Sequence, residues 1–214
     1  MQILIANRRY SSWSLRGWLA LKLSGLDADV EMLPLDTPAF AEAVAVGRLP
    51  SGRVPVLWDG DACVWESLAI VEWLAERSAD ERFWPAEHGS RAFARSISAE
   101  MHGGFAALRA ECPMDLRRVP APLALSAATL GDITRIDRLW TYARTHFGAG
   151  GPFLFGNMGA ADAMYAPVCA RIHGYALEVG PESRAYVDVV MAHPWLREWT
   201  DAIGDEPDIA EHRR

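Results

Sequence analysis

Residues 54–74 read VPVLWDGDACVWESLAIVEWL. Two β-rich segments, residues 54–58 and 62–65, flank Asp59-Gly60-Asp61, a turn sequence that predicts a β-hairpin. Ser67 then precedes apolar residues at helical spacing, which predicts a helix with Ser67 at its N-cap. This stretch therefore has the order strand, strand, helix.

The residues before this stretch predict a strand–helix–strand unit. Residues 2–6 are a short apolar run typical of a buried strand, and a helical pattern follows until Gly25, a residue type common just after a helix. Residues 29–32 alternate polar and apolar side chains and predict a second strand, with a short helix over 40–46. The order βαβ followed by ββα predicts an α/β domain of the thioredoxin-like fold.

The rest of the chain predicts an all-α helical bundle. Residues 80–89 are polar and contain Pro85 and Gly89, so they are interpreted as a linker between domains 1–79 and 90–214. Apolar residues then recur every three or four positions in three stripes, over 93–112, 133–147 and 161–172. Pro167 is expected to kink the third helix. Shorter helices are predicted up to His193 and from Pro194, followed by a polar, frayed tail over 204–214.

Composition excludes several function classes. The chain has 214 residues and a formal net charge of −7, so the basic surface that nucleic-acid binding requires is not expected. It contains no apolar run of about 18 residues, which argues against a membrane-spanning helix. The first ten residues place an apolar strand before two arginines, the reverse of the order in a signal peptide. The expected location is the cytoplasm.

Cysteine and histidine spacing predicts no metal site. Cys63, Cys112 and Cys169 are far apart and form no CxxC pair, so they are interpreted as small core residues in a reducing compartment. The six histidines show no spacing typical of metal ligands.

Four local sequences carry a resemblance to a known family. Residues 10–16, YSSWSLR, resemble the Ser-Ser-Cys-Ser-Trp-Arg loop of zeta-class enzymes, and residues 53–57, RVPVL, resemble a Val-Pro turn before the third strand. Residues 66–70, ESLAI, resemble a Glu-Ser-x-Ala-Ile segment, and residues 155–168 end in ADAMYAPV, which resembles a helix start of many bacterial members. In this order and spacing, the chain is similar to the cytosolic glutathione transferases, with a zeta-like Ser-type loop.

The chain departs from that family's pattern at two positions. Trp13 stands where the zeta class has cysteine, so the isomerase activity of that class does not follow from the loop alone. Gly159 replaces the Ser or Thr that caps the helix beginning near Asp162 in most members. Asp162 is expected to cap this helix rather than to touch substrate. Because Gly159 has no side-chain oxygen to accept a helix N–H, the cap should be weaker by a few tenths of a kcal/mol.

The resemblance implies that glutathione is the co-substrate and that Ser11 or Ser12 activates its thiol. A free thiol has a pKa of about 8.5, so a hydroxyl donor at a helix N-terminus would stabilise the reactive thiolate. Either serine could instead only cap the first helix. Ser11 is the first choice, Ser12 the second, and Tyr10 a third candidate at the strand end.

The resemblance also implies how the rest of glutathione is held. A cis Pro55 would leave the N–H and C=O of Val54 to pair with the cysteinyl backbone, and Arg53 would bind the glycyl carboxylate. Glu66 would receive the γ-glutamyl ammonium, while Ser67 would bind its carboxylate at the helix N-terminus.

The electrophile pocket is expected between the serine loop and the first helix of the second domain. Its candidate residues are Trp13, Met101, Phe105 and Arg109, although Met101 and Phe105 on a helical stripe could equally be core. Arg16 either orients the loop, raises the positive potential near the thiolate, or forms a salt bridge.

The expected function is a glutathione transferase that conjugates glutathione to a small hydrophobic electrophile. Alternatives are a glutathione-dependent cis–trans isomerase of the maleylacetoacetate or maleylpyruvate type, a peroxide reductase, and a non-catalytic binding or interaction module. A homodimer is expected from the family and from nine tryptophans that need burial in a small chain.

Overall fold

A computed structural model describes residues 1–78 and 82–206 of the chain. The N-terminal domain contains a four-stranded sheet in the order β2-β1-β3-β4, in which β1 runs parallel to β2 and antiparallel to β3, and β3 pairs antiparallel with β4. The elements are β1 (Gln2–Ile5), α1 (Ser12–Ser24), β2 (Asp29–Met32), α2 (Pro38–Ala45), β3 (Val56–Asp59), β4 (Ala62–Trp65) and α3 (Ser67–Ser78). The predicted hairpin and the thioredoxin-like fold are confirmed.

Helix α1 is placed closely against the start of β3. Ser11 caps its N-terminus, and Gly25 ends it in the left-handed conformation, as the sequence predicts. At Gly17 a Cβ atom would lie 2.9 Å from Pro55 Cγ, so only glycine lets the helix approach this closely. The Val54–Pro55 peptide bond is cis. This contact brings the serine loop and the Val54–Pro55 turn to the same edge of the domain.

The second domain is helical, as predicted. It contains α4 (His88–Gly103), α5 (Ala106–Glu111), α6 (Ala127–Phe147), α7 (Ala160–Gly174), α8 (Pro181–Ala192) and α9 (Pro194–Asp201). Helix α7 is central: all its residues except His173 are buried, and it contacts α1 of the first domain as well as α4 and α8. Pro167 lies in its interior.

The first apolar stripe of this domain belongs to two helices rather than one. Helix α4 ends at Gly103, and α5 begins at Ala106. Phe105 between them has a φ of 55°, in the left-handed region where a residue cannot continue a helix. The periodic pattern continued across this break because residues on both sides face the same core.

Asp162 stabilises the start of α7, as predicted. Its carboxylate accepts hydrogen bonds from Gly159 N–H at 2.8 Å and Leu154 N–H at 3.2 Å. Both oxygens are thus used by backbone groups, and the side chain is 1% exposed. Gly159 itself makes no side-chain cap.

Two predicted segments differ from the structure. In the predicted linker, Phe83 and Trp84 are buried, and α4 already begins at His88; residues 79–81 lie outside the described residues. The tail was predicted to fray from residue 204, yet Glu206 forms hydrogen bonds to the N-terminal domain, while 207–214 lie outside the described residues. The domain bounds 1–79 and 90–214 stay a prediction.

The tryptophans are mostly accommodated within one chain. Only Trp65 of the nine is exposed, and Trp140 and Trp199 are fully buried. The need to bury tryptophan therefore gives no argument for a dimer. None of the helices in residues 1–78 and 82–206 combines the length and apolarity needed to cross a bilayer.

Candidate active site

The loop from β1 to α1 places both predicted serines beside a cavity. Ser11 Oγ accepts a hydrogen bond from Ser14 N–H at 3.3 Å and lies 2.8 Å from Ser14 Oγ. Ser14 Oγ in turn accepts a bond from Ala6 N–H at 3.0 Å, which ties the helix start to the strand end. Ser11 therefore caps the helix and also borders the cavity. Both predicted interpretations of Ser11 are compatible with this geometry.

The first of two neighbouring cavities has a volume of about 520 Å³. We call it the serine cavity; it is lined by Tyr10, Ser11, Ser12, Trp13, Leu35, Phe40, Gly52, Arg53, Val54, Arg109, Pro113, Met114 and Arg171. Its polar groups come from the serine loop and from arginines. Its apolar side comes from α2, from the loop before α2 and from the segment after α5.

The second cavity, of about 410 Å³, is called the Glu66 cavity. It is lined by Trp13, Ser51, Arg53, Val54, Pro55, Glu66, Ser67, His102, Gly103 and Arg109. Trp13, Arg53, Val54 and Arg109 line both cavities. The two cavities thus meet at these residues, and together they bring the predicted glutathione-binding residues to one cleft.

Glu66 and Ser67 stand at the N-terminus of α3. Glu66 has a φ of 70° and keeps its side chain half-exposed, while the N–H of Ile70 bonds to its carbonyl, so Glu66 and not Ser67 is the residue before the helix. The prediction of Ser67 as N-cap is wrong by one residue, since Ser67 is already helical. Ser67 Oγ is buried and has no hydrogen-bond partner among the described residues. A buried hydroxyl without a partner is costly, which favours a ligand at this position.

Three arginines surround Trp13 and Ser12. The guanidinium of Arg16 lies 4.4 Å from the centre of the Trp13 ring, and that of Arg109 lies 5.4 Å from it. Arg171 Nη2 is 3.5 Å from Ser12 Oγ, and Arg171 Nε donates to the carbonyl of Cys112 at 2.8 Å. These contacts place positive charge on two sides of the serine loop.

No carboxylate among residues 1–78 and 82–206 contacts this cluster to neutralise its positive charge. Arg16 is fully buried; its Nε donates to the carbonyl of Met164 at 2.9 Å, but Nη1 and Nη2 have no partner among the described residues. Burial, with the charges of Arg171 and Arg109, lowers the pKa of Arg16 to about 9. Burial likewise lowers the pKa of Arg171 to about 10. Both remain cationic at neutral pH, so the cleft is electropositive and attracts anions.

His102 is a site residue that the sequence analysis missed. Its Nε2 lies 3.4 Å from Glu66 Oε2, and its ring meets the Trp13 ring edge-on at 5.2 Å. Burial lowers the pKa of His102, as do the charges of Arg16 and Arg109, while Glu66 opposes the shift. In the sequence, the only signal for His102 is its position next to the predicted pocket residue Met101.

The predicted electrophile pocket needs a correction at two positions. Met101 has no exposed surface and Phe105 is 7% exposed, and both pack in the main hydrophobic core. Trp13 and Arg109 do line the cleft. The apolar wall comes instead from residues that the sequence did not single out: Leu35, Phe40, Pro113 and Met114. No periodic pattern marks them, since most lie in loops.

Within residues 1–78 and 82–206, no three His, Cys, Asp or Glu side chains are grouped in a way that could hold a metal ion.

Comparison with known families matches both halves of the chain. The model of the glutathione S-transferase N-terminal domain matches residues 10–77, and that of the glutathione S-transferase C-terminal domain matches residues 68–202. The chain belongs to the glutathione S-transferase family. The predictions of the family and of a glutathione transferase are therefore confirmed. A search of curated proteins found no match to this glutathione S-transferase.

Solved structures share its fold over nearly the whole chain. A maleyl pyruvate isomerase, described as a bacterial zeta-class glutathione S-transferase, is 20% identical with a TM-score of 0.71, covering 97% of this chain and 100% of its own. A glutathione transferase homologue from Burkholderia gl BGR1 with bound glutathione is 20% identical with a TM-score of 0.68, covering 96% and 98%. Maleylacetoacetate isomerase from Anaeromyxobacter dehalogenans 2CP-1, with bound glutathione, is 25% identical with a TM-score of 0.64, covering 96% and 97%.

Proposed function

We propose that this glutathione S-transferase binds glutathione across the Glu66 and serine cavities and adds its thiolate to a small hydrophobic electrophile. The observation that carries this proposal is the position of Ser11 and Ser12. Both hydroxyls stand at the N-terminus of α1 and line a cavity that meets the one containing Glu66 and Ser67. One cleft thus offers hydroxyl groups that could donate to the glutathione sulfur and a candidate position for the γ-glutamyl group.

The two ends of glutathione have partners of opposite charge in this cleft. The γ-glutamyl ammonium would pair with Glu66, and its carboxylate would accept bonds from Ser67 at the N-terminus of α3. Ser67 Oγ is buried and finds no hydrogen-bond partner in the part of the chain that the structure describes, so a bound carboxylate would satisfy it. Exposed Arg53 would bind the glycyl carboxylate, and the backbone of Val54 would pair with the cysteinyl unit.

Activation of the thiol would rest on Ser11. A hydroxyl that donates to sulfur, together with the positive end of α1, stabilises the thiolate, and lowering the pKa by one unit requires about 1.4 kcal/mol. The thiol proton leaves to solvent. The thiolate then forms a C–S bond to the electrophile, and the leaving group departs with the electron pair of the broken bond. Leu35, Phe40, Pro113 and Met114 would receive the apolar body of the electrophile.

Titration of the glutathione thiol in the complex tests this function. Ser11→Ala should leave glutathione affinity nearly unchanged and reduce the rate near neutral pH by roughly ten- to a thousandfold, with a smaller loss at high pH. Ser12→Ala and Tyr10→Phe, measured in parallel, distinguish the three hydroxyls. A wild-type thiol pKa no lower than that of free glutathione would favour the non-catalytic binding module.

A second function is favoured by the arginines of the serine cavity. Arg109 and Arg171 line it, and Arg171 is 4% exposed with no carboxylate of the described residues in contact, so a substrate carboxylate would meet positive charge there. This suits cis–trans isomerisation of a maleyl-type diacid, in which the thiolate adds, the bond rotates and the thiolate leaves. Arg109→Met should then suppress turnover of the diacid and spare turnover of a neutral aromatic halide. Equal loss with both substrates would contradict this second function.

The remaining proposals rest on the family. They are a homodimer, which light scattering at micromolar concentration would test, a cytoplasmic location and a detoxifying role. One lysine against twenty arginines supports a bacterial source with a GC-rich genome.

A further inference from the structure

The backbone of the serine loop is held by a residue from the opposite end of the chain. Arg8 N–H donates to Glu206 Oε1 at 3.2 Å, and Arg9 N–H donates to Glu206 Oε2 at 3.3 Å. Arg8 and Glu206 also form an ion pair at 3.5 Å. The Glu206 side chain is 4% exposed. Hydrogen bonds to a buried carboxylate are charge-assisted, so they hold the backbone more strongly than a contact on the surface would.

The other polar groups of this backbone are held as well. The carbonyl of Arg8 accepts a bond from Trp199 Nε1 at 2.9 Å, and the carbonyl of Arg9 accepts one from Leu116 N–H at 3.2 Å. All four backbone groups of residues 8 and 9 are thus bonded to the second domain. Their conformation is set by that domain rather than by the sheet.

The held segment leads directly into the serines. Asn7 carbonyl accepts the N–H of Ser11 at 2.9 Å, so the loop closes over residues 8 and 9 and presents Ser11 at the start of α1. A shift of the backbone at these residues would move the Ser11 hydroxyl. A misplacement of about 1 Å can cost a hundredfold in rate.

We infer that Glu206 is a positioning residue that holds the β1–α1 loop so that Ser11 meets the glutathione sulfur. This inference rests on the proposed function of Ser11. It assigns to the C-terminal segment a part in thiol activation without contact to the substrate.

Glu206→Ala tests this role, with glutathione and a generic aromatic halide as substrates. We expect kcat near neutral pH to fall by about five- to thirtyfold, the KM for glutathione to change less than about twofold, and the bound thiol pKa to rise. Amide hydrogen exchange at Arg8 and Arg9 should accelerate. Glu206→Gln keeps an acceptor oxygen and should show a smaller loss in the same direction, which keeps the test available if the alanine variant folds poorly.

Glu198→Gln is the matched control. Glu198 pairs with Lys22 at 2.9 Å and so links α9 to α1 without bonding to the loop. This variant should keep the wild-type thiol pKa and kcat.

A double mutant separates positioning from general stability. If Glu206 acts through Ser11, Glu206→Ala should add little to the rate loss of Ser11→Ala. Additive losses, or a wild-type thiol pKa in Glu206→Ala, would overturn the inference while leaving the proposed function intact. A wild type that does not lower the thiol pKa would instead remove the proposed function, and the inference with it.

Discussion

Glu66 and His102 meet across the domain boundary, with 3.4 Å between Glu66 Oε2 and His102 Nε2. One residue precedes α3 of the first domain, and the other lies in the last turn of α4 of the second. Since Glu66 is the proposed partner of the γ-glutamyl ammonium, the charge of His102 bears directly on glutathione binding.

We predict that glutathione affinity falls as pH drops through the range in which His102 becomes protonated. Burial is the main cause that lowers the pKa of His102 below its ordinary value of 6.5, so the imidazole is neutral at pH 7 and becomes cationic only in more acidic solution. The cation would pair with Glu66 and compete with the ligand ammonium. Calorimetry should show that the affinity for glutathione decreases by about three- to tenfold between pH 7 and pH 5. His102→Gln should remove most of this pH dependence; an equal decrease in that variant would refute the explanation.

Loss of either side chain at the proposed γ-glutamyl site should weaken glutathione binding. Glu66→Gln or Ser67→Ala removes a partner of a charged ligand group. We therefore expect calorimetry to show a glutathione-binding free energy that is weaker by about 1–3 kcal/mol. Ser78→Ala, at the other end of the same helix, is the matched control and should bind as wild type. Unchanged dissociation constants in both site variants would place the γ-glutamyl group elsewhere.

Asp162→Ala should destabilise the fold strongly. It would leave the buried N–H of Leu154 and the partly buried N–H of Gly159 unpaired, and we expect the free energy of unfolding to fall by about 2–4 kcal/mol. Urea denaturation with an unchanged m-value measures this effect. Ser126→Ala removes the cap of α6 and should cost only about 1 kcal/mol. Similar costs for both variants would show that Asp162 is no more than an ordinary cap.

The ion pair between Arg9 and Asp115 should make stability depend on acid pH. Burial alone raises the pKa of Asp115, but the bonds from Arg9 and from Arg117 N–H outweigh it, and the pKa lies below 3.8. A carboxylate whose pKa is lowered in the folded state stabilises the fold at pH values above its unfolded pKa. This stabilisation is lost as the pH falls through the folded-state pKa. Asp115→Asn should thus cost about 1–3 kcal/mol at pH 7.

The measurement is urea denaturation at pH 7 and near pH 3. The difference in the free energy of unfolding between wild type and Asp115→Asn should be smaller at the lower pH. Glu100→Gln is the control, because Glu100 binds Arg135 in the same two-bond geometry on the exposed surface. It should cost less than about 1 kcal/mol at any pH. A constant difference for Asp115→Asn would contradict the assigned titration.

The local pattern predicted much of the site because several of its features depend on neighbours in sequence. Ser11 caps α1 through a residue three positions away, and Gly25 ends that helix by its own backbone conformation. The serines, Arg53, Val54 and Glu66 reached one cleft because the βαβ-ββα order brings their loops to one edge. Ser67 was displaced by one residue since a helix boundary depends on backbone geometry that side-chain types specify only loosely.

By itself, the sequence determined the order of strands and helices, the thioredoxin-like domain and the helical second domain, and it predicted the residues proposed to hold glutathione. Tertiary structure alone decided which residues complete that cleft. Helical spacing marks an apolar face but not what covers that face. Met101 and Phe105 are therefore buried in the core, while His102, which follows Met101 directly, reaches Glu66. Likewise Glu206 bonds to Arg8 across 198 positions, a contact set by packing and carrying no local pattern. Such contacts form because buried polar groups must find partners wherever the fold places them.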